Sequence, residues 1–598
     1  MLFGKYVNKY YKKFFLFFLI GVVALVVVDV AQTFIPRFLG QIIDSNNELI
    51  VDSEKLGGII GGIILVAGIM FVGRAVWRLS IFRASTGIAA GLRKEMFLHA
   101  EKLPPAYYHE NKVGNIMNWF TSDIEEISDF FGWGTVMLVD AVFLSASVFI
   151  SMIRLNPWMT LLTAIPIILI IIWGMLVDRF MSKLWEGRQK EYDKLYDFAQ
   201  ENFTGIRVIK PFVKQNKEIH AFAKVAKKNQ EVNVSFARLS VFFDVIIELI
   251  LIIQMGFLLG FGGWMVYSTI AGNPVVIFGQ TISMTVGELM EFVGYVDLIV
   301  WPMIALGQIV SMRSRAKGSL RRISAFLDTK VDVFSPPNAV SLDGGAGEIE
   351  FKGFSFMFPG TNDYALKDIT LKIKAGEHIG IVGKVGAGKT CLVNTLLRLY
   401  NVEKGQVFID GHDIMDADIQ SLRNHISYAP QDNFLFSAEV EENIAFAASK
   451  INHERVVEAA GFADVASNIE AFPKGYQTVS GERGVTLSGG QKQRISIARA
   501  EYKDAPIMIL DDCVSAVDVK TEETILANIA NTRKDKTTLL IASRVSSVMH
   551  MDKIIVLDDG KLSAYGSHNE LMKTSPLYQR MVFLQELEKE MEGGSKRG

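Results

Sequence analysis

Gly383-Lys384-Val385-Gly386-Ala387-Gly388-Lys389-Thr390 is the stretch on which the reading of this 598-residue chain turns. Its spacing, G-x-x-x-x-G-K-[ST], is that of a phosphate-binding loop. Before it, Glu377-His378-Ile379-Gly380-Ile381-Val382 reads as a short buried strand. After it, Cys391-Leu392-Val393-Asn394-Thr395-Leu396-Leu397 reads as a helix. Strand, loop and helix in that order are the context the motif requires. Glycines let backbone N–H groups turn inward around phosphate oxygens, and a helix N-terminus adds its positive end. Lys389 is expected to reach the β- and γ-phosphates of a nucleotide, with the Thr390 hydroxyl on Mg2+.

Outward from that loop the composition is that of a soluble α/β domain over residues 348–585. Strand-like runs lie at 349–358, 378–382, 426–428, 507–510, 538–542 and 553–557, with helical patterns between them. Ile507-Met508-Ile509-Leu510-Asp511 is an apolar strand ending in a carboxylate, the layout of a second Mg2+ holder. Ser335-Pro336-Pro337-Asn338 and Gly344-Gly345-Ala346-Gly347 mark a linker over 329–347. The charged, Gly-rich run 586–598 is expected to fray.

Residues 1–328 are of another kind. Half of the whole chain is hydrophobic, and its mean hydropathy of +0.26 is high for a soluble protein. Apolar runs near 14–34, 57–77, 133–153, 158–177, 241–267 and 284–310 each reach the roughly 20 residues a bilayer demands, which predicts six membrane-spanning helices. Lys5, Lys9, Lys12 and Lys13 among tyrosines suggest an amphipathic helix on the membrane surface over 5–13. The segments near 79–131 and 178–240 are long, helical in pattern and basic, with Arg83, Arg93, Lys94, Lys210, Lys214 and Lys217. The linkers near 42–56, 154–157 and 268–283 are short and nearly free of Lys and Arg. The positive-inside rule therefore puts the long segments and both termini in the cytoplasm. A net charge of −2 gives no reason to expect nucleic acid as a partner. The two cysteines, Cys391 and Cys513, imply no disulfide framework and suit a reducing compartment.

The remaining motifs carry a family resemblance. Leu487-Ser488-Gly489-Gly490-Gln491 has the signature sequence of the ATP-binding cassette (ABC) family, just upstream of the Ile507–Asp511 run. Gly481-Glu482-Arg483-Gly484 resembles the loop that precedes it in exporters. Gln431 stands at the family's Q-loop and Asp518, in Ser515-Ala516-Val517-Asp518, at its D-loop. Phe358 stands where the family has an aromatic residue that stacks on adenine. Six spans followed by one cassette resemble an exporter half-transporter of a bacterial cell membrane, with ATP and Mg2+ as its ligands. The resemblance implies two cassettes paired head to tail. Gly383 to Cys391, with Gln431, would bind one ATP, and Thr390, Gln431 and Asp511 would hold its Mg2+. Leu487, Ser488, Gly489, Gly490 and Gln491 would face the ATP of the partner.

Two residues depart from the family pattern. Asp512 stands where the family has a Glu acting as base toward the attacking water, and Ser543 where it has a His at the γ-phosphate. Asp is shorter than Glu by one C–C bond, about 1.5 Å. A general base has to come within roughly 2.6–3.2 Å of its proton carrier. The phosphate-binding parts are complete while the hydrolytic pair is altered. This resembles the degenerate-site subunit of bacterial heterodimeric multidrug exporters. The expectation is a slow site of its own, a complete signature lent to a different partner subunit, and efflux of small hydrophobic or amphipathic compounds. A homodimer with two slow sites is the alternative assembly, and lipid or peptide export the alternative cargo. With no protease-like segment ahead of the first span, a processing peptide exporter is the weaker of those. A regulator that uses ATP only to change shape is the alternative of another class.

Tyr108, in the stretch 107–114, and Arg207, in 205–212, resemble the family's two coupling stretches, the second of which docks on the partner's cassette. Asp29, Asp140, Asp244, Glu248, Glu288, Glu291 and Asp297 lie in or beside the apolar runs. Asp244 and Glu248 share a helix face. With Glu288 and Glu291 they are candidate contacts for cationic substrates, since intramembrane carboxylates face a cavity or a partner.

Overall fold

The computed structural model describes residues 4–46, 53–273, 275–277, 280–481, 484, 486–515 and 517–594. They fall into two units, Met1–Glu101 with Val113–Thr329 and Lys102–Lys112 with Lys330–Gly598.

The first unit is helical. Lys5–Gln32 and Phe34–Asn46 are followed by Ser53–Ala100, a segmented third helix over Val113–Leu155, then Pro157–Thr204, Gln215–Ile270 and Val286–Leu327. Five of these, among the described residues, are long and apolar enough to cross a membrane: Lys5–Ser45, Glu54–Ala100, Val113–Leu155, Gln215–Ile270 and Val286–Leu327. The run expected at 158–177 lies in Pro157–Thr204. At 1.5 Å per residue a 48-residue helix such as Ser53–Ala100 is about 72 Å long, more than twice the hydrocarbon thickness. The long basic segments thus continue the spans, interrupted by the short helices Pro105–Glu110 and Ile206–Ile209. Phe15, Ile64 and Phe71 stay exposed on the outer faces, as side chains that meet lipid do.

No separate surface helix forms at 5–13. One helix runs unbroken from Lys5 to Gln32, with Val7 and Tyr10 buried. The sequence offers no Gly or Pro between Lys5 and Ile20 to stop it. The Tyr10 hydroxyl donates to Glu95 Oε1 at 2.8 Å, and Lys9 pairs with the same carboxylate. The break comes later, at Thr33, just before Pro36. The third helix is interrupted by two π-helical turns, Trp119–Asp123 and Asp140–Leu144. Asp123, in the first, accepts from Arg322 Nε at 2.8 Å and Nη2 at 2.5 Å, and from Ser319 Oγ at 3.0 Å. A short antiparallel hairpin, Val275–Ile277 with Gln280–Ile282, joins the last two long helices.

The second unit is built on two sheets. The larger runs Lys561–Gly566, Lys553–Asp558, His378–Gly383, Thr537–Ile541, Ile507–Asp511, Ile426–Ala429 in that spatial order. All neighbours are parallel except the first pair. The central strands are apolar on both faces, as a sheet covered on both sides requires. The smaller, antiparallel sheet orders Tyr364–Ile373, Ile349–Met357, Val407–Ile409, His412–Asp413. Helix Lys389–Leu396 lies in the core between the sheets, with Leu392, Val393 and Leu396 fully buried. On the other face, helix Gly489–Lys503 buries Ile495, Ile497 and Ala498. The run at 586–598 does not fray at its start, because helix Pro576–Gly594 carries through it; residues 595–598 lie outside the described part.

Helix Gly489–Lys503 ends on a buried charge cluster. Arg533, 1 % exposed, lies 3.7 Å from Glu501 Oε2 and donates to the Ala505 carbonyl at 2.9 Å. Arg455 Nη2 donates to Glu501 Oε1 at 3.2 Å. Burial pushes the Glu501 carboxyl upward and the nearby guanidinium groups of Arg533 and Arg455 oppose it. Removing one member leaves a guanidinium buried without its counter-charge. Glu501→Ala should destabilise this unit by about 3–5 kcal/mol, read as a lower thermal midpoint of the purified chain. Glu458→Ala, on an exposed pair with the same Arg455, should leave that midpoint within a degree or so.

Candidate nucleotide site

Strand His378–Gly383 delivers the loop at the carboxyl end of the sheet, where open α/β sheets bind ligands. Gly386 and Gly388 have φ of +82° and +94°, conformations that L side chains rarely adopt. At Gly388 a Cβ would come within 2.7 Å of Leu366 and 3.0 Å of the Ala365 carbonyl; at Gly386 it would meet nothing. The loop backbone is therefore packed from behind at Gly388 and open in front at Gly386, the cradle the motif implies. Val385 is fully exposed at the tip, and Ala387 is buried beneath it.

Lys389 opens the helix that follows, and its ammonium donates to the carbonyls of Gly383 and Lys384, both at 2.9 Å. Burial pushes it below the ordinary lysine value, while the carboxylates of Asp512 and Asp511 pull it back. Thr390 Oγ1 donates to Asp511 Oδ1 at 3.2 Å. Strand Thr537–Ile541 lies between the strand that leads into the loop before Thr390 and the strand that ends in Asp511, its Ile541 level with both Ile381 and Asp511. Asp511 is fully buried. Burial raises its carboxyl and the Thr390 hydroxyl opposes that. A hydroxyl and a carboxylate in one place, with a lysine beside them, are the hard oxygen donors that suit Mg2+ and a triphosphate. Thr390 and Asp511 would hold the ion, which would supply neutralisation of the charge that develops on the phosphates.

Asp512 follows with φ of +48°. Its backbone carbonyl accepts from Gln493 Nε2 at 3.2 Å and Ser515 Oγ at 2.9 Å. Its Oδ1 is buried and has no hydrogen-bond partner. Ser543 is exposed after strand Thr537–Ile541. Its carbonyl accepts from Gln585 Nε2 at 3.1 Å, and Gln585 Oε1 takes the Val545 N–H at 2.6 Å. A side chain of the last helix thus ties down the loop in which Ser543 sits.

Phe358 follows strand Ile349–Met357 and is 38 % exposed. Its ring meets Tyr400 edge-on at 5.5 Å, and both meet Phe356. Phe358 is the exposed member of this three-ring cluster, the one a base could meet. Base–aromatic stacking is worth about 1–3 kcal/mol by alanine substitution. Phe358→Ala should therefore raise the Kd for MgATP roughly 5- to 150-fold, measured by titration with a fluorescent nucleotide. Phe358→Tyr should keep it within about threefold, since the π-face is unchanged.

The signature begins a helix. Ser488 is the N-cap of Gly489–Lys503, its Oγ accepting from the Gln491 N–H at 3.3 Å while Gln491 Oε1 takes the Ser488 N–H at 2.9 Å. That capping box fixes the two residues against each other. The Leu487 side chain is buried beneath them. Glu482, Arg483 and Ala516 lie outside the described residues. Asp518 caps helix Val519–Thr532 by accepting the Thr521 N–H at 3.0 Å, which holds its carboxyl below the usual range. Gln431 is exposed. Cys391 and Cys513 are buried, and burial pushes the Cys391 thiol up to about 12, so both are packing residues.

The sequence alone did not mark Tyr428, Gln493 or Gln585. Tyr428 OH donates to Asp511 Oδ2 at 3.4 Å. Its position three residues before Gln431, at the end of a predicted strand, was an available signal. Gln585 carries none, because nothing in a charged terminal run says which residue turns back.

Of the other candidates, Tyr108 lies on helix Pro105–Glu110, which groups with the second unit and packs Ala106 on its core. Arg207 lies on helix Ile206–Ile209 of the first unit, with Ile206, Val208, Phe212 and Val213 exposed around it. Glu288 closes a capping box with Thr285, and Glu291 accepts from Tyr295 OH at 2.8 Å. Asp244 and Glu248 are exposed on helix Gln215–Ile270.

Comparison with known proteins agrees with this geometry. Residues 18–290 match the family described as ABC transporter transmembrane region, and residues 366–515 the one described as ABC transporter. The chain is 32 % identical over 98 % of its length, and 98 % of the relative's, to the "Probable multidrug resistance ABC transporter ATP-binding/permease protein YheI" of Bacillus subtilis. It is 31 % identical over 97 % of its length, and 96 % of the relative's, to the "Multidrug resistance-like ATP-binding protein MdlA" of Escherichia coli. Among solved structures, a bacterial Atm1-family ABC exporter with ATP bound has the same fold. Its TM-score is 0.76 at 24 % identity, covering 97 % of this chain and 99 % of that one.

Proposed function

This chain belongs to the ABC transporters, multi-pass membrane proteins that couple ATP hydrolysis to export, and on that premise we propose that it is the degenerate-site half of a heterodimeric multidrug exporter. The observation that carries the proposal is the division within one site. Thr390 is bonded to Asp511, and Lys389 is anchored on the carbonyls of the loop beside them, a grip for phosphate and Mg2+. The two positions that would activate water hold the short Asp512 and Ser543. Such a site binds MgATP and hydrolyses it slowly. The signature at Leu487–Gln491 is complete and rigidly capped, so it serves the site of a partner that carries Glu and His at the matching positions. The exposed apolar residues around Arg207 support a partner's cassette as the second docking surface.

The two relatives' names support multidrug cargo, of hydrophobic or amphipathic compounds. The basic long segments support a cytoplasmic cassette beneath a bacterial inner membrane. ATP binding draws the cassettes together, and because it favours the closed pair it shifts the spans from inward- to outward-facing. The test is ATP-driven movement of a cationic dye into inverted vesicles, comparing this chain alone with this chain and a co-expressed second half-transporter. The pair should pump and the single chain should not. Robust pumping by the single chain sinks the heterodimer, and ATP binding without flux in either sinks the exporter reading in favour of a regulator.

A further inference from the structure

Two spans lose regular helix geometry around one pair of acids, and a third carries a proline beside them. Helix Lys5–Gln32 stops at Thr33, four residues past Asp29. The third helix passes through a π-helical turn that begins at Asp140. Helix Val286–Leu327 carries Pro302 beside Trp301, whose Nε1 donates to Asp140 Oδ2 at 3.0 Å. π-turns inside α-helices gather at functional sites, and proline is a usual cause of a bend.

Asp29 and Asp140 are 3 % and 8 % exposed, one on the first helix and the other on the π-helical turn that packs against it. Asp29 Oδ2, Asp140 Oδ1 and Ser145 Oγ are buried without hydrogen-bond partners. Around them pack Leu25, Val28, Val136 and Val139. The charged groups of the surrounding helices turn elsewhere: Arg74 and Arg78 of Ser53–Ala100 and Asp297 of Val286–Leu327 are exposed. Two carboxylates in an apolar, water-poor place with no fixed cation need a positive partner. An organic cation would have to displace the packed aliphatic shell. A metal ion wants more hard donors than two carboxylates, and among the described residues no group of three or more His, Cys, Asp or Glu gathers. A proton fits, because two neighbouring carboxylates share one readily.

We propose that Asp29 and Asp140 form a shared proton site at the bending points of the first and third spans, so that the transport cycle takes up and releases a proton. In the packed arrangement the pair holds the proton. When nucleotide moves the spans and water reaches the acids, the O–H bond breaks and the proton passes to solvent; no other bond changes. Nothing in the nucleotide site depends on this pair, and the readout below is a proton count, independent of cargo and of ATP turnover.

The test uses the full chain in its membrane assembly, in nanodiscs and weakly buffered medium with a pH dye. MgAMP-PNP is added across a pH series. The wild type should displace about one proton more per chain than the Asp29→Asn, Asp140→Asn double variant. Asn keeps the shape of Asp and, like a protonated carboxyl, offers one acceptor and one donor group without a titrating proton, so a merely structural role would leave the two traces alike. Equal proton counts in the two proteins overturn the proposal. Should the double variant not fold, Trp301→Phe removes one donor to Asp140 and leaves both acids. A displaced pH midpoint then supports the site, and an unchanged midpoint overturns it.

Discussion

Changing Asp512 to Glu and Ser543 to His together should raise ATP turnover of the singly purified chain by about 100-fold, within the range a positioned general base supplies. The rest of the apparatus is already present. Thr390 and Asp511 are joined at 3.2 Å, Lys389 is anchored on two loop carbonyls, and the signature helix is capped. Asp512 is held by its own backbone, which accepts from Gln493 and Ser515, so a longer side chain projects from a fixed point. Its Oδ1 has no protein partner to lose. Ser543 is exposed, so an imidazole there meets no packed neighbour. Asp512→Glu alone should give a smaller gain. The measurement is steady-state phosphate release in detergent or nanodiscs. A wild type that already turns over briskly, and loses it on Asp512→Asn, would show that aspartate reaches the water and that the site is not degenerate.

The sequence made the cassette legible because its chemistry is local. Gly383 to Thr390 needs glycines at fixed offsets, and the structure puts left-handed φ at Gly386 and Gly388. The strands expected at 378–382, 507–510 and 538–542 appear as neighbours, since near-continuous apolar runs bury on both faces. Strand Tyr364–Ile373 was missed: its lysines alternate with apolar residues on a sheet with one wet face, interrupted by Asp368 in the left-handed region. In the membrane unit the apolar runs gave the spans, but not their irregularities. Nothing in Val139-Asp140-Ala141-Val142 marks a π-turn, which arises where packing against other helices demands one extra residue per turn. The pairing of Asp140 with Trp301, 161 positions apart, is a tertiary fact no spacing rule could reach. The surface helix expected over 5–13 failed for a related reason. Lysines suggested an interface, yet Lys9 and Tyr10 find Glu95 on a neighbouring helix.

In the heterodimer proposed above, the variants of this chain should rank in an order that inverts the usual importance of its motifs. Ser488→Arg should cut total ATP turnover about 100-fold or more, the scale on which removing a single preorganised transition-state donor acts. Ser488 sits at a helix N-terminus, where an anion is favoured and a guanidinium is not. The substitution also dismantles the box with Gln491, a loss of about 1 kcal/mol, too small to unfold the unit. Lys389→Met should do the opposite. It removes the charge that faces the phosphates and leaves the Gly383 and Lys384 carbonyls without their donor. This chain's own MgATP is then lost, while turnover, carried by the partner's site, falls by less than about tenfold, the 1–3 kcal/mol range of coupling between sites. Bound nucleotide per assembly, counted by filtration, should drop from two to one in Lys389→Met and stay at two in Ser488→Arg. The two readouts move in opposite directions only if this chain holds one ATP for shape and lends its signature for chemistry. If Lys389→Met instead stops turnover as completely as Ser488→Arg, the sites work as equals and the assignment of labour between them is wrong.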